Sequence, residues 1–273
     1  MKGTTLEKEK ITLSGVNVFC EYVLNGKPPI VLIHGFVSST YTFHRIIPLL
    51  EEQFSVLAID LPGFGRSEKS TSFIYSFENY AKLILECMDY FRFESAHMVG
   101  HSMGGQIALY TAKIAPHKIT KLILLCSSGY LKRAKNYQRY STYLPFFHVF
   151  VERYIKRKDI QDYLKNVLYN SSYMNEDLFR EYGRPLSDKN FYKSLARLLR
   201  YREGDLPSDQ LKTIETPTLL LWGEEDKVVP LEVGKKLVED LPNAKIKTFE
   251  KTGHLLTEER PKELYEQIIA YAL

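Results

Sequence analysis

The sequence predicts an α/β domain built on a mostly parallel sheet flanked by helices, and three observations predict it. Apolar stretches of strand length alternate with stretches of helical periodicity along most of the 273 residues, the pattern of repeated βα units with helices on both sheet faces. Two of the stretches, "PIVLIHG" and "FSVLAIDLPGFG", are continuously apolar, as strands buried on both faces are. The alternation lapses from about Tyr130 to Leu206 and then resumes, so one sheet is expected to carry a helical insertion.

The elements follow in order. "KITL" and "VNVFCEYV" read as a starting antiparallel pair turned at Ser14-Gly15. "PIVLIHG" is the next strand, and "TYTFHRIIPLLEE" has helical spacing, with Pro48 bending it or starting a turn. "FSVLAID" is a strand closed by Pro62, Gly63 and Gly65. In "FENYAKLILECMDYF", Tyr80, Leu83, Ile84, Cys87 and Met88 share one helical face. "AHMVG" is a strand, "MGGQIALYTAKIA" a helix and "ITKLILLCSS" a strand. Beyond the insertion come "TPTLLLWGEED" as strand and loop, "LEVGKKLVEDL" as helix and "AKIKTFEKTGH" as strand and loop. "PKELYEQIIAYAL" is a closing helix with Pro261 in its first turn. The expected organisation is a sheet domain of residues 1–129 and 207–273 interrupted by a helical unit at 130–206.

Composition excludes several classes. With 44% hydrophobic residues the chain can bury a sizeable core. "MKGTTLEKEKITLSG" lacks the apolar run of a secretory leader, and "ITKLILLC" is far too short to span a bilayer, so a cytoplasmic protein is expected. Cys20, Cys87 and Cys126 are odd in number and have no CxxC spacing, which fits thiols packed in a core in a reducing compartment. Net charge is +4, but 16 Lys and Arg face 9 Asp and Glu between Tyr130 and Asp205. Spread through helical patterns, these charges read as a solvated face that leaves room for weak membrane-surface association. No nucleic-acid motif accompanies them, so no nucleic-acid partner is expected.

The chemistry centres on "MVGHSMGGQIALYTAKIA". Gly100-His101-Ser102-Met103-Gly104 matches G-x-S-x-G between an apolar strand and a helix. In that motif a tight turn presents a strained serine, and its neighbours must be small. The following helix N-terminus and the Met103 N–H would stabilise an oxyanion. A second donor, the Phe36 N–H, would come from the loop after "IVLIHGF", where Gly35 permits close approach. A serine needs a base, and His254 in "EKTGHLLTEERP" sits after the last strand at the same sheet edge. His34 reads as structural, His101 is expected to point away, and His44, His117 and His148 have no evident partner. His97 and His101 are separated by a strand end and a glycine and are not expected to share a metal. The orienting acid should lie between serine and histidine, after another strand. Asp226 in "LLLWGEEDKVVP" is so placed, with Glu224 and Glu225 as alternatives.

"HGF", "DLPGFGRS", "GHSMGG", "GEEDKVVP" and the late "GH" occur in the order and spacing of the α/β-hydrolase superfamily, which the chain resembles outside the insertion. The resemblance implies an eight-stranded sheet, a helical cap at the insertion, a Ser102–Asp226–His254 triad and a loop-fixing role for Asp60. No metal or other cofactor is expected. The expected function is hydrolysis of carboxylic esters with small to medium apolar acyl groups through an acyl-enzyme, the partner being a small-molecule ester. Tyr143, Phe146, Phe147 and Leu255 are the expected substrate-binding residues, the apolar insertion covering the carboxyl edge of the sheet. An elbow serine disfavours the dehalogenase and epoxide-hydrolase branches. The carbon–carbon bond hydrolases resemble "SMGG" but typically carry tryptophan where Leu255 stands. They remain an alternative, as do cofactor-free haloperoxidase or perhydrolase chemistry and a small-molecule receptor that keeps the triad.

Overall fold

The computed structural model describes residues 5–157 and 159–273. Residues 1–4, which open both the stretch read as leaderless and the expected sheet domain, and Lys158 of the expected insertion lie outside the described residues. Among the described residues eight strands form one sheet: β1 (Glu7–Leu13), β2 (Val16–Val23), β3 (Pro29–Ile33), β4 (Ser55–Asp60), β5 (Ala96–His101), β6 (Ile119–Leu125), β7 (Thr218–Gly223) and β8 (Ala244–Phe249). Their order is β1-β2-β4-β3-β5-β6-β7-β8. β1 pairs antiparallel with β2, and β2 with β4. All later pairs are parallel.

Local sequence explains the elements. Ser14 and Gly15 both have positive φ, 49° and 70°, the two-residue hairpin geometry whose twist matches that of its strands. β4 is buried at all six positions because both its faces are covered. The "TYTFHRIIPLLEE" stretch is broken into a 3-10 turn over Thr40–Phe43 and the short α1 (Ile47–Leu50), with Pro48 in its first turn. α2 (Phe77–Tyr90) is capped by Ser76, whose hydroxyl accepts from Asn79 N, and it buries Tyr80, Leu83, Ile84, Cys87 and Met88. Burial of Leu83, Ile84 and Met88 contributes roughly 1.5–3 kcal/mol each. α3 (Met103–Ile114) follows β5 directly.

Between β6 and β7 lie α4 (Asn136–Ser141), α5 (Phe147–Lys156), α6 (Ile160–Val167), α7 (Glu176–Gly183), α8 (Lys189–Tyr201) and α9 (Ser208–Leu211). α8 is continuous with the main core through Phe191, Tyr192, Leu195 and Leu198. A second apolar cluster joins Leu164, Val167, Leu168, Leu178 and Tyr182 to Leu255. α10 (Leu231–Asp240), α11 (Leu256–Glu259) and α12 (Pro261–Ala272) complete the chain. No helix among the described residues is long and apolar enough to cross a membrane.

β3 lies between β4 and β5, so successive connections diverge to either side of it. The crevice at the carboxyl ends there is where open α/β sheets bind ligands. The loops after β3, β5, β7 and β8 therefore come together at one edge.

Candidate active site

The turn from β5 to α3 is built by close packing. A Cβ on Gly100 would stand 2.5 Å from Gly104 O, and one on Gly104 would stand 2.2 Å from Ile33 O. Neither position accepts a side chain without moving backbone. Between them Ser102 has φ 53° and ψ −120°, a conformation a non-glycine residue holds only under constraint. The constraint is visible: Ser102 N donates to Leu125 O at 3.0 Å, and Ser102 O accepts from Gly105 N at 2.9 Å and Ser128 N at 3.1 Å. The β3 loop lies against this turn, since a Cβ on Gly35 would sit 3.0 Å from Ser102 Cβ. Phe36, Ser102 and Met103 line one cavity of about 400 Å³, with Leu131, Leu195, Leu198, Leu199, Val228 and Val229 as apolar walls. Lys132 and Arg202 also reach it. Met103 opens α3, where a backbone N–H has no acceptor within the helix.

Asp226 and His254 meet at the same sheet edge. His254 Nδ1 is 2.7 Å from Asp226 Oδ2, and both residues are buried. Asp226 Oδ1 accepts from Val228 N at 2.8 Å and Val229 N at 2.9 Å. Burial by itself would raise this carboxyl, but the His254 hydrogen bond and charge and the two N–H groups outweigh it and hold Asp226 below the usual range. It stays ionised and fixes the imidazole with Nδ1 protonated, leaving Nε2 as the free basic nitrogen. Glu224 and Glu225 are engaged elsewhere, Glu224 with Thr248 Oγ1 at 2.6 Å and Glu225 with Thr252 N at 2.8 Å.

Several contributors carry no local sequence signal. His101 Nε2 donates to His254 O at 3.0 Å, and the two rings lie 4.8 Å apart. Far from pointing away from the site, it packs against the base. Burial, and then the neighbouring His254, push His101 down to about 3, so it stays neutral, with Nδ1 making no hydrogen bond among the described residues. Cys126, with φ 43° just after β6, lies beside Asp226, and burial and then that carboxylate push its thiol well up. Cys126, Asp226 and His254 each bring one donor atom within 4.8 Å of the others, but Asp226 and His254 are already bound to one another.

Glu259 is a further surprise. Its buried carboxylate accepts from Gly253 N at 2.7 Å, Asn170 N at 2.9 Å and Tyr169 N at 3.1 Å. His254 N also donates to Val167 O at 2.8 Å. The loop that carries His254 is thus tied to the end of α6 and the residues after it. No periodicity or motif signals this, because Val167, Tyr169 and Asn170 lie more than eighty residues away in sequence. By contrast, Asp60 is fully buried and accepts from Thr40 N and Arg66 N, both at 2.6 Å, fixing two loops of the edge. His34 is structural: Leu61 N donates to its Nε2 at 3.0 Å.

The expected substrate-binding residues need correction. Phe146 is 77% exposed and Tyr143 61%. Tyr143 instead stacks under the Arg200 guanidinium, 3.7 Å from its ring centre. Leu255 is buried in the second apolar cluster. None of the three lines the cavity at Ser102. Helix ends set the reason: Phe146 stands just before α5, so its ring projects from a corner, while Phe147, one residue on, turns inward. Phe147 lines a second cavity of about 660 Å³, with Phe150, Val151, Tyr154, Ile155, Tyr163 and Tyr182 among its walls. The two cavities share Phe36, Leu195 and Leu199.

An elbow serine on the fifth strand and a buried acid–histidine pair on the loops after the last two strands, around one eight-stranded sheet, define a class, and comparison agrees with it. The family model for the alpha/beta hydrolase fold matches residues 28–261, and the chain belongs to that family as an α/β-fold hydrolase. It is 44% identical over 260 residues, 95% of each chain, to the uncharacterized hydrolase YugF of Bacillus subtilis strain 168. It is 26% identical over 257 residues, 90% of this chain and 87% of the relative, to a 2-hydroxy-6-oxononadienedioate/2-hydroxy-6-oxononatrienedioate hydrolase of Paraburkholderia phymatum. In structure it resembles a 2-hydroxy-6-oxo-6-phenylhexa-2,4-dienoate hydrolase from Rhodococcus sp. strain RHA1, with TM-score 0.82 and 98% of each chain covered. At 21% identity that last likeness speaks to fold alone.

Proposed function

We propose that the chain is a serine hydrolase that cleaves carboxylic esters of apolar acyl groups through an acyl-enzyme intermediate. The observation that carries this reading is a strained elbow serine opening into an apolar cavity of about 400 Å³ beside a buried Asp226–His254 pair at 2.7 Å. In the proposed mechanism His254 Nε2 takes the Ser102 proton as Oγ attacks the ester carbonyl, and Asp226 stabilises the imidazolium that forms. The Phe36 and Met103 N–H groups hold the oxyanion, aided by the N-terminus of α3. Collapse returns the proton to the leaving alcohol, and water then releases the acid by the same steps in reverse. The segment between β6 and β7 acts as a cap whose helix α8 supplies one wall of the acyl site. The chemistry needs no metal. Three buried free thiols suit a cytoplasmic setting.

A second reading is favoured by one observation: Lys132 and Arg202 reach the Ser102 cavity, and neither forms an ion pair with a described residue. Two such cations suit a substrate bearing a carboxylate, as in carbon–carbon bond hydrolysis of dienoates, the activity named for the Paraburkholderia relative. The deciding experiment follows turnover of p-nitrophenyl acetate, butyrate and hexanoate alongside loss of the chromophore of a 2-hydroxy-6-oxodienoate. Efficient ester turnover with a silent dienoate supports the first reading, and the reverse replaces it with the second.

A further inference from the structure

We propose that the face formed by α4, the turn at Leu144–Phe146 and α5 is a docking surface for an anionic lipid bilayer, and that the second cavity receives the hydrocarbon chain of an amphiphile taken up there. Between Leu131 and Arg157 the sequence holds seven Lys and Arg against the single acid Glu152, together with seven Tyr and Phe. Tyr137, Tyr140, Leu144, Phe146 and Phe150 each expose between 63% and 77% of their surface. Elsewhere the exposed large apolar residues, such as Leu24, Ile74 and Ile114, are scattered over separate elements. Five such residues within the one stretch from Tyr137 to Phe150 concentrate apolar exposure as surfaces that bind a partner do.

Charge identifies the occupant. Arg133, Lys135, Arg153 and Arg157 form no ion pair among the described residues, so their charge is available to an external anion. Aromatic rings between uncommitted cations are the composition of helices that lie in an anionic membrane interface, where rings enter the headgroup boundary and Lys and Arg reach phosphates. Phe146 fits that role. It is held at φ 60° and ψ 13°, a left-handed conformation that is costly for an aromatic residue and that places its ring at the corner between the two helices.

Position decides between a bilayer and a nucleic acid. α5 contributes Phe147, Phe150, Val151, Tyr154 and Ile155 to the cavity of about 660 Å³, so the helix that carries the proposed docking face also walls an apolar chamber. That chamber shares Phe36, Leu195 and Leu199 with the cavity at Ser102. A hydrocarbon chain fits such a path, and a sugar-phosphate backbone does not. Docking is independent of the chemistry at Ser102, whereas the chain-binding half rests on the esterase reading.

The test sediments the full chain, and its Ser102→Ala variant, with vesicles of phosphatidylcholine alone or with about a third phosphatidylglycerol. Both proteins are expected to bind the mixed vesicles and to ignore pure phosphatidylcholine, with binding falling as salt is raised. Each cation near an anionic surface strengthens binding about fivefold, so Arg133→Gln/Lys135→Gln/Arg153→Gln should weaken it roughly 100-fold. Leu144→Ser/Phe146→Ser should weaken it several-fold, and both variants should hydrolyse soluble p-nitrophenyl butyrate as before, which also shows that they fold. Absence of binding at low salt, equal binding to phosphatidylcholine, or variants that bind unchanged overturns the docking surface. Tight binding of single-stranded DNA that Leu144→Ser/Phe146→Ser leaves intact overturns it in favour of a nucleic acid. For the chain path, Leu199→Trp should reduce turnover of dodecanoyl relative to butyryl esters at least fivefold, and an unchanged ratio overturns that half. Vesicle binding without turnover of any ester refutes the esterase reading while leaving the docking surface standing.

Discussion

Replacing Glu259 with glutamine tests how the base is held. The carboxylate takes Gly253 N on Oε2 and Asn170 N on Oε1, with Tyr169 N shared between the two oxygens at 3.1 and 3.3 Å. A glutamine keeps one acceptor and turns an NH2 group toward the other donor, so one buried N–H loses a charged partner. Such a bond is worth about 1.5–3 kcal/mol. Because Gly253 precedes His254, loss on that side displaces the imidazole from its working position. If the whole loss enters the activation barrier, kcat falls about 10- to 150-fold. KM should change far less, since Glu259 lines neither cavity. The assay combines kcat and KM on p-nitrophenyl butyrate with the rate of Ser102 labelling by a fluorophosphonate and with thermal unfolding. A lower melting temperature with kcat and labelling rate intact would show that Glu259 only holds the fold together, and the argument for positioning would be wrong.

Other expectations follow from the same geometry. Ser102→Ala and His254→Ala should each lower kcat by roughly 10⁴-fold or more, and Asp226→Asn by a similar or somewhat smaller factor, measured with butyryl esters. Dialysis against a chelator should leave kcat unchanged. Each methylene the Ser102 cavity accepts contributes at most about 0.8 kcal/mol, so kcat/KM should rise several-fold from acetyl to hexanoyl esters. A preference for acetyl would reject the apolar acyl site. Burial, opposed in part by Arg45, pushes the Glu258 carboxyl up to about 7. Between about 4.5 and 7 the unfolded chain is ionised there while the folded chain keeps its proton, so stability falls as pH rises through that window, by about 3 kcal/mol. Urea unfolding of Glu258→Gln should lack this slope, and a variant as pH-dependent as the parent would reject the assignment.

Much of the fold was legible because periodicity reports burial. Continuous apolar runs mark β3 and β4, and the five residues assigned to one face of α2 are all buried, with Phe77 and Ala81 beside them. Ser102, Asp226 and His254 were legible as candidates because each falls just after a strand and the sheet brings strand ends together. What escaped depends on contacts distant in sequence. Its place next to Ser102 makes His101 read as pointing away, yet strand alternation directs it across the edge to the His254 backbone. Glu259 carries no signal within "TEERP", but the chain after α6 folds its N–H groups onto it. Phe146 and Phe147 are indistinguishable by composition. Only where α5 begins decides which ring faces water and which a cavity.

The proposed ester hydrolysis depends on Ser102 as the acylated nucleophile, which covalent labelling reads out. The protein is reacted with a fluorophosphonate probe, digested and mapped by mass spectrometry, while turnover of p-nitrophenyl butyrate is followed in the same samples. A single adduct on the peptide containing Ser102, formed in step with loss of turnover and absent from Ser102→Ala, is the predicted result. An adduct on another serine, or a Ser102→Ala protein that turns over the ester at the parent rate, would contradict it.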